Sequence, residues 1–433
     1  MFPSDLTGKR LLLVGGVGPT HDLIGLAHRN GVFLGVTDYN KDTRVKRDAD
    51  AAYDVNALDA DGLERLYLAE GYDGVITNFS DMLSPVVAEV AARVGAYAPF
   101  TPEQLRLSTD KKFFKQKCLE YGVPVPREYH VSPGDDASFR DVEYPVIVKP
   151  VDGNSSKGVR VCRDETELRA GCENALTFSR SGRVIVEQYL PFDEINVTYI
   201  AQDGDIRLAA IHDRYFNTDQ PGVVQVPDMY IYPSRYTTGY IEKYNDAVIA
   251  MLRGMGVKNG SLFLQACVRE GEVFFYEAGI RLNGCKTYQI LEVENGYNTF
   301  ERLMGFALTG SMGPRAALDA RFRRWYATWN VVAQPGAVID RFAGMEELSA
   351  EPWLIHIARA YYEGERIPPG TAGTLTQLAA RIHLAGDTKE QLMERIGVMQ
   401  ERFHVLDAAG SDILLPPHDV EDLRRRVDYD LPI

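Results

Sequence analysis

Cysteine is scarce in this chain, five among 433 residues, and Cys118, Cys162, Cys172, Cys267 and Cys285 stand far apart. An odd number without paired spacing excludes a disulfide framework and a zinc knuckle, and a reducing cytoplasm is the expected setting. Positive charge is in deficit too: 47 Lys and Arg against 61 Asp and Glu give a formal charge of −14. That balance argues against broad affinity for nucleic acid or an anionic membrane, both of which need concentrated positive charge. No apolar run is long enough to cross a bilayer, and no basic start leads into an apolar signal segment. Prolines and glycines are dispersed, so neither a disordered tract nor an internal repeat is expected. A Walker loop and a Gly-x-Ser-x-Gly nucleophile elbow are both missing. What remains is an ordinary globular composition, 45% hydrophobic and 25% charged, in a chain long enough for two or three cores.

The first segment reads strand, glycine turn, helix, strand. Leu11-Leu12-Leu13-Val14 enters Gly15-Gly16-Val17-Gly18-Pro19-Thr20, and a second apolar run, Val32 to Val36, ends at Thr37-Asp38. With a further buried strand at Tyr72–Thr77, this predicts an open parallel α/β domain over 1–109. Gly16, Gly18 and Asp38 suggest a dinucleotide fingerprint, but His21 stands where its third glycine belongs. A tight strand–helix turn is the better reading of these glycines.

From Asp110-Lys111 the pattern changes to α+β. Tyr144 to Pro150 is a β segment that runs into Asp152-Gly153-Asn154-Ser155-Ser156-Lys157-Gly158-Val159. Further strands are expected over Arg183–Gln188, Glu194–Ala201, Arg207–His212, Ser261–Arg269 and Glu272–Ala278. Gln202-Asp203-Gly204-Asp205 and Arg269-Glu270-Gly271 read as hairpin turns. This core is assigned to 110–320. A small C-terminal α+β domain over 321–433 completes it or packs on it, with a helix that Thr388 and Gln391 open as a capping box.

Chemistry concentrates in the central part. Lys149 stands where a strand enters a flexible loop whose Gly153, Asn154, Ser155, Ser156 and Gly158 can follow phosphate oxygens. Glu187-Gln188-Tyr189-Leu190 and Glu194 offer a strand edge for adenine and carboxylates for its amino group or the ribose hydroxyls. Gln265 and Glu277 lie on two strands joined near Gly271, so an antiparallel return brings two oxygen ligands toward one cation, magnesium rather than zinc. Arg281 follows, placed to neutralise a transferring phosphoryl group. Taken singly each piece is better read as a surface turn or a salt-bridged hairpin; together they favour an ATP cleft.

In this order the residues resemble the ATP-grasp superfamily. Asp110-Lys111 is similar to its entry helix, Lys149 to its cleft lysine, Gly153 to Val159 to its phosphate-covering loop, and Glu187 to Leu190 to its adenine hinge. Gln265 is closest to the carbamoyl phosphate synthetase large-subunit-like branch and carboxylate–amine ligases. The resemblance implies an ATP-grasp fold behind an N-terminal preATP-grasp domain, with Lys111 and Lys149 on nucleotide or phosphate and Gln265 and Glu277 on magnesium. Arg281 would stabilise the transferring phosphate. The implied activity is ATP-dependent ligation of a small carboxylate to an amine or ammonia through an acyl phosphate. Bicarbonate activation and a non-catalytic ATP sensor are the alternatives, and a homodimer is the expected assembly. One departure is plain: the family's Glu-x-Asn reads Glu277-Ala278-Gly279, with Asn283 as a candidate substitute.

On the acceptor side, His212, Arg214, Gln225, Tyr230 and Tyr232 are candidate wall residues, more simply read as a half-buried hairpin. His21 and His28 lack a third metal ligand and read as a packed or surface pair; Cys267 and Cys285 lack a basic partner, so apolar packing is their expectation.

Overall fold

The computed structural model describes residues 5–16, 18–152, 158–189, 193–216, 226–315 and 317–432. Strands β1 (Arg10–Val14), β2 (Phe33–Thr37), β3 (Ala51–Tyr53) and β4 (Gly74–Ile76) form an all-parallel sheet in the order β3-β2-β1-β4. Its strands are continuous apolar runs because helices cover it, and Leu11 to Val14 are fully buried. The glycine turn after β1 serves the fold. Gly16 N–H donates to the buried Asp38 carboxylate at 2.8 Å, and a Cβ at Gly16 would lie 2.7 Å from Thr43 Oγ1. Asp38 therefore closes this turn.

The second sheet joins β5 (Glu128–Tyr129), β6 (Val146–Pro150), β7 (Arg160–Cys162) and β8 (Val184–Gln188) in the order β5-β8-β6-β7. β6 and β7 are an antiparallel hairpin whose connection is the glycine-rich loop. The third sheet has eight strands. β9 (Asp193–Gln202), β10 (Asp205–Tyr215), β11 (Met229–Tyr232), β12 (Gly260–Arg269), β13 (Glu272–Gly279), β14 (Trp325–Val332), β16 (Leu354–Arg359) and β17 (Leu378–Gly386) run in the order β13-β12-β9-β10-β11-β14-β17-β16. β15 (Arg341–Ala343) and β18 (His404–Leu406) pair separately. Strands on both sides of residue 320 thus share one sheet, through the β11–β14 pairing of Met229–Tyr232 with Tyr326–Trp329. The expected strand at Val331-Val332 is the end of this longer β14.

Both expected hairpin turns are present. Asp203 and Gly204 have φ of 52° and 81°, and Glu270 and Gly271 have 53° and 81°. Two successive left-handed residues twist the connection in the sense the strands need. The capping box at Thr388 forms in part. Thr388 accepts from Gln391 N–H at 3.2 Å, but Gln391 Oε1 takes the Asp387 N–H instead of its partner's. One face of the large sheet packs on helices through Ile195, Val197, Tyr199, Ile211 and Phe275 and, further along, through Trp325, Trp329, Ile382 and Leu384. The other face is largely polar, and it carries the site.

Candidate active site

Lys149, next to last in β6, is 7% exposed; Glu187 on β8 is 2% exposed, and Lys115, on the helix Lys111–Glu120, is 5% exposed. The Glu187 carboxylate is in direct ion-pair contact with both ammonium groups, Lys115 on one oxygen and Lys149 on the other. Lys115 also lies 3.4 Å from Glu128. Burial alone would raise the Glu187 carboxyl, yet Lys149 and Lys115 hold it below its ordinary value. The sequence reading sent this carboxylate to adenine or ribose; the structure gives it the placement of two lysines. Lys115 was missed because nothing in its own helix marks it, and only the fold brings it to β8.

The next two hinge residues use their backbone donors locally, Gln188 N–H to Arg127 O at 2.9 Å and Tyr189 N–H to Pro145 O at 3.0 Å. Leu190 lies outside the described residues, as do Gly153, Asn154, Ser155, Ser156 and Lys157 of the loop and Gln225. Gly158 closes that loop with φ of 73°, and a Cβ there would meet Phe178 at 2.8 Å.

Opposite this lobe, Gln265 on β12 and Glu277 on β13 are direct cross-strand partners. The register slips by one residue between Gln265 and Ala266, and the extra residue is Tyr276. Such a bulge places two neighbours on one side of a strand. Phe275 and Ala278 pack into the core, while Lys149 Nζ sits 5.7 Å from the centre of the Tyr276 ring. Lys111 Nζ lies 3.7 Å from Glu277 Oε1. Lys149 thus reaches across from β6 to the large sheet, and Lys111, whose helix packs on the large-sheet core, joins it at one cleft.

Glu194, the expected ribose ligand, is on the same face. Its Oε2 accepts from Arg214 and, at 3.0 Å, from Tyr276 OH. Arg214 also donates to Tyr276 at 2.8 Å. Burial disfavours the charge on Arg214, but Tyr276 and Glu194 outweigh it and keep the guanidinium protonated. Arg214 is therefore a member of the cleft, where sequence alone favoured a plain hairpin.

Arg281 is anchored by a residue 200 positions away. Its Nε and Nη2 donate to Asp81 at 2.9 and 2.6 Å, its Nη1 to Leu282 O at 3.0 Å, and its guanidinium lies 5.1 Å over the Phe263 ring. Asp81 follows β4, so this pair ties the N-terminal domain to the cleft. Asn283 does not stand in for a side chain at 279. Its amide nitrogen donates to Thr198 and Thr287, and its oxygen accepts from Thr287 N–H.

Beyond Arg281 the polar face continues across the sheet. His212, 1% exposed, has its ring 4.8 Å from Tyr230 and 4.4 Å from Tyr232. Burial, and then Arg214, push it well below its ordinary value, so it is neutral. Tyr230 and Tyr232 are fully packed against it rather than half-buried. Arg381 on β17 pairs in register with Asn330 on β14. It is 8% exposed, and no hydrogen-bond or carboxylate partner meets its guanidinium among the described residues. Asn196 Oδ1, His212 Nδ1, Asn330 Oδ1 and His383 Nε2 are likewise buried without a partner. Buried polar atoms are rarely left so, and these side chains lie on neighbouring strands of the large sheet. Sequence reasoning missed Arg381, which in the chain is one more alternating strand residue.

The remaining candidates have structural roles. His21 and His28 each meet their own carboxylate, Asp48 at 2.7 Å and Asp50 at 3.2 Å. Burial pushes the Cys267 thiol up to about 12 and also raises Cys285. Asp22 of the glycine-turn helix accepts from Lys286, Tyr288 and Gln289, which fastens the first domain to the core.

The family model described as ATP-grasp domain matches residues 142–289, the segment that holds Lys149, Glu187, Glu194, Gln265, Glu277 and Arg281. The chain carries an ATP-grasp domain. Over its length it has the fold of ATP-grasp structures: it superposes on the L-amino acid ligase from Bacillus licheniformis with a TM-score of 0.74 at 16% identity, over 93% of this chain and 99% of that one. The biotin carboxylase domain of Hydrogenobacter thermophilus 2-oxoglutarate carboxylase, a dimer in complex with MgADP, ADP and bicarbonate, gives 0.76 at 18% identity, over 92% and 91%. In sequence it is 23% identical over 363 residues to the formate-dependent phosphoribosylglycinamide formyltransferase of Burkholderia vietnamiensis, covering 79% of this chain and 89% of the relative. Of several other curated relatives the chain spans about half the length or less, 36 to 51%. No described helix of the chain is long and apolar enough to cross a membrane.

Proposed function

We propose that this ATP-grasp chain is an ATP-dependent carboxylate–amine ligase that works through an acyl phosphate. The observation that carries the reading is Lys149, which is clamped by Glu187 on one lobe and faces Tyr276 beside Glu277 on the other. A buried cation fixed between two lobes is prepared for phosphate before any nucleotide arrives, so little reorganisation is needed at the moment of transfer.

Lys111 and Lys149 bind the phosphates, and Glu194 Oε1, left over when Oε2 takes Arg214 and Tyr276, accepts from a ribose hydroxyl. Gln265 and Glu277 suit a magnesium ion, since they are cross-strand partners with oxygen donors and the Glu277 side chain is 39% exposed to the cleft. When bound, magnesium neutralises phosphate charge and orients the terminal phosphoryl group. Arg281, steadied by Asp81, faces the same group. A substrate carboxylate oxygen attacks the γ-phosphorus and ADP leaves. The amine nitrogen then attacks the acyl carbon, phosphate leaves, and the amine gives up one proton. The glycine-rich loop, read as a cover, keeps water from the acyl phosphate.

On the acceptor side, Arg381 takes an anionic group of the substrate, and the unpartnered Asn196, Asn330, His212 and His383 atoms supply neutral polar contacts. One uncompensated guanidinium suits a carboxylate better than a doubly charged phosphate. A cytoplasmic setting and a homodimer belong to the same reading; the five cysteines are free thiols, and the biotin carboxylase neighbour was solved as a dimer.

The test is ADP release with magnesium and ATP over pooled amino acids and small acids, with products resolved by mass and the acid labelled with ¹⁸O. Transfer of one label to phosphate together with an amide product supports the reading. Substrate-dependent ADP without label transfer refutes the acyl phosphate. The match to a bicarbonate-bound carboxylase domain favours one second reading, for which ADP formation would require bicarbonate and yield no amide.

A further inference from the structure

The cation end of the cleft departs from Glu-x-Asn at Gly279, and the structure shows what fills that place. Gly279 is the direct cross-strand partner of Phe263. A Cβ at 279 would fall 2.2 Å from Phe263 Cζ and 2.3 Å from Cε1, closer than real contacts allow. The ring is 5% exposed and so is packed in place. Glycine at 279 and phenylalanine at 263 are therefore one coupled arrangement: the ring occupies the volume that a side chain from β13 would need.

No other group replaces the missing ligand. Both ends of the Asn283 amide are bonded elsewhere. Among the described residues no cluster of three His, Cys, Asp or Glu side chains could hold a metal ion. What lies over the ring is the Arg281 guanidinium, 5.1 Å from its centre. Magnesium demands hard oxygen ligands in near-octahedral array. An aromatic ring and a fixed positive charge offer the opposite.

We propose that this cleft binds one divalent cation per nucleotide, bracketed by Gln265 and Glu277. Arg281, set on the Phe263 ring and anchored by Asp81, supplies the positive charge on the phosphates that a second ion would otherwise bring. This rests on the ATP reading above, and it makes Phe263 a positioning residue for Arg281.

The test is a count. The full chain is saturated with the non-hydrolysable analogue AMP-PNP and titrated with Mn²⁺, and bound manganese is measured by equilibrium dialysis with electron paramagnetic resonance of the free ion. The expected result is one Mn²⁺ per bound AMP-PNP. The double variant Gly279→Asn, Phe263→Ser, which opens the volume and restores an oxygen, is expected to raise the count toward two. Two ions per AMP-PNP on the unaltered chain overturn the inference while leaving the ATP reading intact. Failure of AMP-PNP to bind at all overturns both. The count on the unaltered chain decides the matter even if the double variant does not fold.

Discussion

Replacing Glu187 by Gln removes one negative charge and almost no volume from the most enclosed ionic cluster in the cleft. Lys149 and Lys115, 7% and 5% exposed, then face each other across a neutral amide, and among the described residues the one carboxylate left is Glu128, 3.4 Å from Lys115. Removing one partner of a buried ion pair costs on the order of 3–5 kcal/mol, because the remaining charge keeps its desolvation penalty and loses its compensation. For a cooperative unit the size of the 110–320 core the loss corresponds to a fall of roughly 6–20 °C in melting temperature. Thermal unfolding of Glu187→Gln beside the parent, with and without AMP-PNP, reads it out. The triphosphate returns negative charge to the lysines, so the gap narrows when the analogue is bound. The pH dependence has a defined sign. The lysines hold the Glu187 carboxyl below its ordinary value, so its contribution is present above the ordinary carboxylate range and is lost as pH falls through the depressed folded value. A variant that melts within a degree or so of the parent, or a gap that the nucleotide leaves unchanged, would refute the claim that this triad is an ionic clamp serving phosphate.

Three further outcomes follow from the same geometry. Arg381→Met is expected to raise the acceptor KM about 10- to 100-fold, the equivalent of about 1.4–3 kcal/mol, while AMP-PNP affinity stays unchanged; steady-state kinetics and calorimetry check it. Gly279→Ala pushes a methyl group into the Phe263 ring and is expected to destabilise by about 1–3 kcal/mol, measured by urea unfolding. Asp213 is buried, and burial lifts its carboxyl to about 6 against the Ser234 hydroxyl and Arg235. The folded chain therefore binds this proton more tightly than the unfolded one. The stability it contributes is full below about pH 4 and is lost as pH rises through about 6, on the order of 1–3 kcal/mol. Unfolding of Asp213→Asn should lack that slope, and a difference curve against the parent that stays flat between pH 4 and 6 would count against it.

What the sequence by itself determined was local. Continuous apolar runs define a parallel sheet because helices cover both of its faces, so Leu11–Val14 and Val32–Val36 could be read without partners. Asp203-Gly204 and Glu270-Gly271 mark hairpins because Gly204 and Gly271, and to a lesser degree Asp203, tolerate the left-handed backbone that the turn requires. The order of Lys149, the glycine-rich loop, Glu187 and the Gln265–Glu277 pair pointed to the nucleotide cleft, since such residue types are otherwise hard to explain together. Tertiary structure decided the rest. Counting back from the hairpin turn, where Arg269 faces Glu272, would set Tyr276 opposite Gln265; the bulge sets Glu277 there. A shift of one residue turns a strand's side chains to the other face, so the Gln265–Glu277 pairing depends on an irregularity that no local pattern announces. Lys115 at Glu187, Asp81 at Arg281 and Phe263 at Gly279 are pairings across strands or domains, and Arg381 becomes notable only because the completed sheet buries it without a carboxylate among the described residues. A sequence records which side chains are available, but burial and long-range contact fix which of them are charged, held or left waiting for a ligand.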